Sequence, residues 1–215
     1  MRGTTHLAIG TAIGGAAAAY YPFNPANAAV YMAVAVISAL SADLDGPSLL
    51  SRKIGKLSKM LRTITFWSGL LSAASAVYFY FIHDYYTPAT TAIALALFLL
   101  GLVMREGVIR NTLVSLVGAV LLYTSLQFNI QWLLGFGLFV IWVPWLKHRG
   151  LSHTVWALLL WILIGRELES ELQIAGLTRV AAAGYLSHLL ADTLTPSGVK
   201  WFYPLYKKAI KLKIW

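Results

Sequence analysis

The chain lacks cysteine and carries little charge. None of its 215 residues is Cys, and Asp, Glu, Lys and Arg together make up 12% of them. A soluble domain carries roughly 25% charged residues, so this composition argues against a soluble fold. The absence of cysteine excludes disulfides and every metal site that needs a thiolate ligand.

What the chain has instead is apolar sequence, which makes up 59% of its residues. Several stretches of about 15–20 residues are almost uncharged, long enough to cross the hydrocarbon layer as helices. These stretches do not alternate as strands would, and lipid tolerates only helices or closed barrels. We therefore predict an all-α, polytopic membrane protein forming one integral-membrane domain over residues 1–215. The net charge of +9 then indicates cytoplasmic loops near anionic lipid, not nucleic acid.

The hydropathy pattern predicts about eight transmembrane helices. They lie near residues 5–21, 27–43, 64–82, 88–104, 111–126, 130–146, 153–166 and 176–194. Residues 1–21 have the composition of a signal peptide, but the apolar sequence runs on to further spans, so we expect them to remain as the first span. Two basic segments are not spans. Residues 48–62 are expected to form an amphipathic helix in the headgroup layer, and the tail from Lys200 to Trp215 mixes lysines with aromatics.

The distribution of Lys and Arg predicts the orientation. If the loop around residues 48–62 is cytoplasmic, 15 of the 17 basic residues lie on that side, and only Arg166 and Arg179 lie outside. Cytoplasmic loops of membrane proteins carry such an excess of positive charge. Both termini are therefore predicted to be cytoplasmic, and the location is predicted to be a cell membrane.

This orientation brings the rare ionisable groups to one depth. A carboxylate within a membrane helix costs about 2.5–3.5 kcal/mol on insertion scales, so such a residue usually marks a functional site. Imidazoles and carboxylates occur here at the cytoplasmic ends of the first, second, seventh and eighth spans. We predict that they share a metal site. The candidate ligands are His6, Asp43, Asp45, His153, His188 and Asp192.

Local spacing supports the convergence. His188 and Asp192 are four residues apart and share a helix face. His6 lies on one face with Gly10 and Gly14, where small residues allow a neighbouring backbone to approach. Asp43 and Asp45 are expected where the second helix ends. A turn through Gly150 can bring His148 to His153, and Ser152 is expected to cap the next helix.

Four motifs, in order, resemble one family. They are Thr5-His6, Asp43-Leu44-Asp45, the block from His148 to Thr154, and the block from Gly184 to Val199. Together they resemble the YdjM-like family of membrane-bound, metal-dependent hydrolases, also described as LexA-binding, inner-membrane-associated hydrolases. The resemblance covers the first 60 or so residues and those from about 147 to 206, so residues 63–146 are expected to be extra spans. The family's aspartate motif usually continues with histidine, whereas this chain has Gly46, which puts a full two-metal site in doubt.

The ligand set suits zinc, with manganese or iron as alternatives, and provides for one or two ions. Two metals favour attack by water on a phosphate ester. Arg149 is the expected phosphate clamp, because a guanidinium binds phosphate bidentately. His148 is an expected ligand or general acid. At headgroup depth, the expected substrate is a phospholipid or a polyprenyl-phosphate type phosphoester.

Two other classes of function remain open from the sequence. An ion-coupled transporter would place ionisable residues in the middle of its spans and would show an internal repeat, and neither is clear. A non-catalytic membrane scaffold that binds a regulator would need no metal. The spans within 63–146 could also mediate homo-oligomerisation.

Overall fold

The computed structural model describes residues 1–85 and 87–212. Over these residues the secondary structure is helical, apart from one isolated bridge between Val199 and Ile210. The described residues contain eight α-helices: α1 (Gly3–Tyr20), α2 (Pro25–Ser41), α3 (Arg52–His83), α4 (Pro88–Val103), α5 (Glu106–Phe128), α6 (Gln131–Trp142), α7 (Val155–Leu172) and α8 (Leu177–Thr193). The all-α prediction is confirmed, and each predicted span coincides with one helix.

Three of these helical segments are long and apolar enough to cross a membrane. They are Pro25–Asp45, which is α2 with the short turn after it, Arg52–His83 and Glu106–Phe128. Pro88–Val103 and the segment Gln131–Trp145 are shorter apolar helices. Several others are therefore short for a bilayer about 30 Å thick.

Residues 48–62 do not form a helix of their own, contrary to the prediction. Residues 52–62 belong to α3, which continues without interruption to His83. At about 1.5 Å per residue, a helix of 32 residues is about 48 Å long, well beyond the hydrocarbon thickness. The change from basic to apolar sequence near Arg62 does not interrupt backbone hydrogen bonding. No Gly or Pro lies between Lys56 and Ser68 to end the helix.

The chain divides into two compact units. The first comprises Met1–Ser51 and Val114–Trp215, and the second comprises Arg52–Leu113. In the second, α3 and α4 form an antiparallel pair at close distance, because Gly69 lies against the backbone of Phe98 and Gly101 against that of Phe66. The Ser58 hydroxyl donates to the Glu106 carbonyl at 2.6 Å within the same unit.

The first unit holds all the predicted site residues. Its helices α1, α2, α7 and α8 pack around a buried cluster that includes Tyr31, Ala35 and Leu177. Glycines allow these helices to approach closely. A Cβ atom at Gly10 would lie 3.0 Å from the Ala35 carbonyl oxygen, and one at Gly14 would lie 2.7 Å from Met32 Cα. The predicted packing face of α1 is therefore the face that contacts α2, and His6 lies on it.

Candidate metal centre

The ends of several helices deliver the site residues to one place. His6 lies in the first turns of α1, and His188 and Asp192 lie in the last turns of α8. The two connections supply the others from short 3₁₀ turns, Ala42–Asp45 after α2 and Leu151–His153 before α7. Side chains separated by up to 186 positions in sequence are thereby collected in one buried cluster.

The 3₁₀ turn after α2 separates the roles of its two aspartates. With about three residues per turn, side chains two positions apart point in different directions. Asp43 faces the rings of His153 and His188, with Oδ1 at 3.9 Å and 3.6 Å from their Nε2 atoms. Asp45 faces the connection before α7 instead. Gly46 then ends the turn in an extended conformation.

Two imidazoles face each other, and the Asp192 carboxylate lies beside both of them. The Nε2 atoms of His153 and His188 are 3.2 Å apart. Asp192 Oδ2 lies 3.7 Å from the first and 4.0 Å from the second. Ligands of a tetrahedral zinc ion with bonds of about 2.0–2.1 Å are about 3.3–3.4 Å apart. The spacing of His153, His188 and Asp192 therefore fits a shared cation after small adjustments, and Asp43 lies beside the same two rings.

The opposite ring nitrogens are held by protein groups, which orients the two imidazoles. His188 Nδ1 lies 2.7 Å from the Ala39 carbonyl oxygen and must carry the proton in that hydrogen bond. Its Nε2 therefore presents a lone pair to the cluster. His153 Nδ1 lies 3.3 Å from Asp45 Oδ2 and 3.0 Å from the Ser152 hydroxyl. Metal-binding histidines commonly have such a carboxylate or carbonyl partner behind the ring.

Asp45 therefore differs from the other predicted ligands. Its Oδ1 is 2.7 Å from His148 Nδ1, and its Oδ2 accepts from the Ser152 hydroxyl at 2.6 Å and from the Arg149 amide at 3.2 Å. Its Oδ2 lies on the Nδ1 side of the His153 ring, whereas the Nε2 atom of that ring faces His188. The geometry favours Asp45 as the group that orients His153, in place of the direct ligand role expected from the sequence.

His6 supplies a second indication that the cluster suits a cation. Both of its ring nitrogens are buried, and neither has a hydrogen-bond partner among the described residues. Its ring stacks on His188 at 3.8 Å between centroids, and its Nε2 is 3.5 Å from Asp192 Oδ1. A buried polar group without a partner costs about 1–3 kcal/mol. A bound cation would remove that cost, so the donor set fits a divalent metal.

The combinations of possible ligands overlap. Three sets of three lie within 4.8 Å of one another: His6, Asp43 and His188; Asp43, His148 and His153; and His153, His188 and Asp192. Because Asp43 is shared by two of these sets, one or two ions are both compatible with the arrangement.

His148 and Arg149 lie at the rim of the cluster. The His148 side chain is 55% exposed, and the hydrogen bond to Asp45 raises the pKa of this imidazole. Arg149 has a left-handed backbone, with φ of 58°. Its guanidinium contacts Asp192 Oδ2 at 3.1 Å and donates to Thr195 Oγ1 and the Gly198 carbonyl, each at 3.1 Å. These contacts use three of the five N–H donors of an arginine. The expected phosphate clamp is thus also a support of Asp192.

Some functional contacts were not foreseen from the sequence. The expected cap at Ser152 is wrong, because α7 begins at Val155 after Thr154 and the Ser152 hydroxyl binds Asp45.

The buried Tyr185 hydroxyl donates to the Ser152 carbonyl at 2.5 Å and holds the turn in place. The terminal amine of Met1 forms an ion pair with Asp192. The one available signal was Tyr185 itself, a phenol within an apolar run that needs a buried acceptor.

We expect the Asp45→Asn variant to bind metal about 10–100-fold more weakly while remaining folded, because the amide keeps the shape but cannot accept from all four donors. A competition titration with a chelating dye would measure the affinity. Asp84→Asn, on the exposed connection after α3, is the matched control. Unchanged affinity would remove Asp45 from the support of His153, and a complete loss of binding would make it a direct ligand.

Comparison with known proteins adds one firm result. No curated protein and no solved structure matches the chain. One family does match, and the matched region includes residues 63–146, which the motif resemblance did not cover. The model of the YdjM inner membrane protein family covers residues 1–215, and the chain therefore belongs to this family of inner membrane proteins.

Proposed function

We propose that this chain is a metal-dependent hydrolase that cleaves a phosphoester of a lipid at the cytoplasmic headgroup level. One observation carries the proposal. His153 and His188 face each other with Nε2 atoms 3.2 Å apart, and each ring has a protein partner behind it. Side chains held in this way are prepared to bind a cation. A buried network formed only for stability would not need these two imidazoles to face each other beside the carboxylates of Asp43 and Asp192.

The residues that would hold the metal are His153, His188, Asp43 and Asp192, with His6 completing the set. When bound, a divalent metal supplies a Lewis acid that lowers the pKa of water towards about 7 and polarises a phosphoryl oxygen. Zinc suits the imidazole-rich set, and manganese or iron are the alternatives.

The remaining groups of the chain act on the substrate. In hydrolysis the oxygen of water bonds to phosphorus, its proton leaves to solvent, and the bond from phosphorus to the ester oxygen breaks. The departing oxygen takes its proton from His148, whose ring is half exposed at the rim and held through Nδ1 by Asp45. Arg149 offers the phosphate the N–H donors that its three protein contacts leave over.

The position of the cluster also argues for this class over transport. The described buried histidines and aspartates gather at one end of α1, α2 and α8, and none of the described aspartates or glutamates in these helices lies at mid-length. A relay of ions would need ionisable groups along the span. A site at one end, level with the headgroups, suits a substrate that remains in the membrane.

We expect lipid cleavage only when the purified protein carries metal. The chain would be stripped with a chelator and returned with zinc, manganese or iron into nanodiscs of phosphatidylglycerol, phosphatidic acid and a polyprenyl phosphate. Mass spectrometry and phosphorus NMR would measure lost lipid and released headgroup or phosphate. The metal content of each sample would be determined in parallel. Intact lipids in every metal-loaded sample would reject the proposal, whereas cleavage that persists after stripping would remove the metal from the reaction.

A further inference from the structure

The residues after Asp192 carry charge of one sign only. Asp192 is the last acidic residue of the sequence, and four lysines follow it within residues 199–212, here named the C-terminal loop. Lys207, Lys208 and Lys211 are exposed. Large apolar side chains are exposed among them, with Leu205 at 80% and Leu212 at 58%. Such a surface combines positive charge with apolar groups that water does not solvate well.

The C-terminal loop is nevertheless a folded element. Val199 and Ile210 exchange backbone hydrogen bonds at 3.0 Å and 2.8 Å, and the Leu212 amide donates to the Thr193 carbonyl at 2.9 Å. The Trp201 indole donates to Thr193 Oγ1 at 2.9 Å. These bonds fix the backbone, so the exposure of Leu205 is not the result of a loose chain end.

The same loop is fastened to the ends of α7 and α8. The Val155 amide donates to the Trp201 carbonyl at 2.9 Å, and the Trp156 indole donates to the Tyr203 carbonyl at 3.1 Å. Arg149 joins Asp192 to the Gly198 carbonyl just before the loop. The loop therefore lies at the end of the unit where the metal centre lies, the end that the charge distribution predicts to be cytoplasmic.

We propose that the C-terminal loop is a docking surface for anionic lipid headgroups of the inner leaflet. The lysine ammonium groups pair with lipid phosphates, while Phe202, Leu205 and Tyr206 enter the boundary between headgroups and acyl chains. Lysine stems that run along apolar surface towards a charged head are typical of this interface. Anionic lipid is the occupant that matches both properties, because it presents negative charge directly above hydrocarbon.

Because the chain has no cysteine, a single introduced cysteine can be labelled without labelling any other residue. A single Leu205→Cys variant would carry an environment-sensitive fluorophore in nanodiscs of phosphatidylcholine, with or without phosphatidylglycerol. We expect a blue-shifted emission and stronger quenching by lipids with a spin label in the acyl chain when phosphatidylglycerol is present. A label at Phe23→Cys, which is also exposed and lies between α1 and α2, should not respond to the anionic lipid.

Variants of the lysines test whether their charge causes the response to phosphatidylglycerol. With Lys207, Lys208 and Lys211 changed to Gln, the phosphatidylglycerol-dependent shift should be lost, and with the same three changed to Arg it should remain. Equal signals in neutral and anionic nanodiscs, or a shift that survives the Gln changes, would overturn the proposal. So would a label protected only in native inner-membrane vesicles, which would indicate an acidic protein partner. None of these readouts uses hydrolysis, so this test fails or succeeds independently of the proposed enzyme activity.

Discussion

The His188→Asn variant is expected to purify without bound metal and without hydrolytic activity. An asparagine amide can replace Nδ1 as the donor to the Ala39 carbonyl, which His188 contacts at 2.7 Å. It has no atom at the position of Nε2, where Asp43, His153 and Asp192 converge within 3.2–4.0 Å. The substitution therefore removes the ligand atom and keeps the hydrogen bond to the Ala39 carbonyl. The loss of affinity should exceed the roughly 10–100-fold that removal of a supporting partner costs.

Elemental analysis of the purified protein would give the metal stoichiometry, and a thermal unfolding scan would show whether the variant remains folded. His83→Asn is the matched control, because this exposed histidine lies at the end of α3 outside the cluster. If His188→Asn is folded and holds as much metal as the unmodified protein, the metal lies elsewhere and the proposed catalysis loses its basis. Loss of metal from both variants would point to a general effect of the substitution and would also count against the site.

The second large effect is expected from two adjacent glycines of α1, of which Gly14 contacts α2 and Gly15 does not. A Cβ atom at Gly14 would lie 2.7 Å from Met32 Cα and 3.1 Å from Met32 N, whereas one at Gly15 would have no neighbour within 4 Å. Met32 Cα and N belong to the backbone of α2 and cannot rotate away. Gly14→Leu must therefore push α1 away from α2. We expect it to lower the free energy of unfolding by more than the roughly 1–3 kcal/mol that overpacking usually costs. Gly15→Leu should leave stability nearly unchanged.

The Gly14 substitution should also disturb the candidate metal centre, because α1 carries His6. We expect Gly14→Leu to lower both the unfolding temperature in detergent and the metal content, or to prevent purification of folded protein. Since both variants introduce the same side chain at adjacent positions of α1, helix propensity is matched between them. Equal stability of the two would mean that α1 does not pack on α2 through the face of Gly10 and Gly14.

The proximity of these groups was predictable because ionisable residues are rare in membrane sequences. His6, Asp43, His153, His188 and Asp192 are polar groups at the ends of apolar runs. The structure brings them together, with all but the partly exposed Asp43 buried. The excess of basic residues on one side predicts that these groups lie at a common depth in the membrane. The orientation of the chain itself stays a prediction, supported by that charge distribution.

The errors have one physical origin, since hydropathy reports where a segment prefers to lie and not how its backbone bonds or its side chains point. It suggested a break near Arg62, but backbone hydrogen bonds continue through the change of solvent preference, and α3 runs from Arg52 to His83. Hydropathy also predicted Asp43 and Asp45 equally as metal ligands. The 3₁₀ turn that follows α2 points them in different directions, and only one of them faces the two imidazoles.

The sequence by itself determined an all-helical membrane protein and the residue types of its polar cluster, because apolar run length and the cost of buried charge are local properties that the order of residues records. Only the tertiary structure decided which carboxylate faces the rings, which one orients them, and that Tyr185 and Ser152 support the arrangement. Those assignments depend on distances between segments more than one hundred residues apart, and such distances are fixed by helix packing and turn geometry.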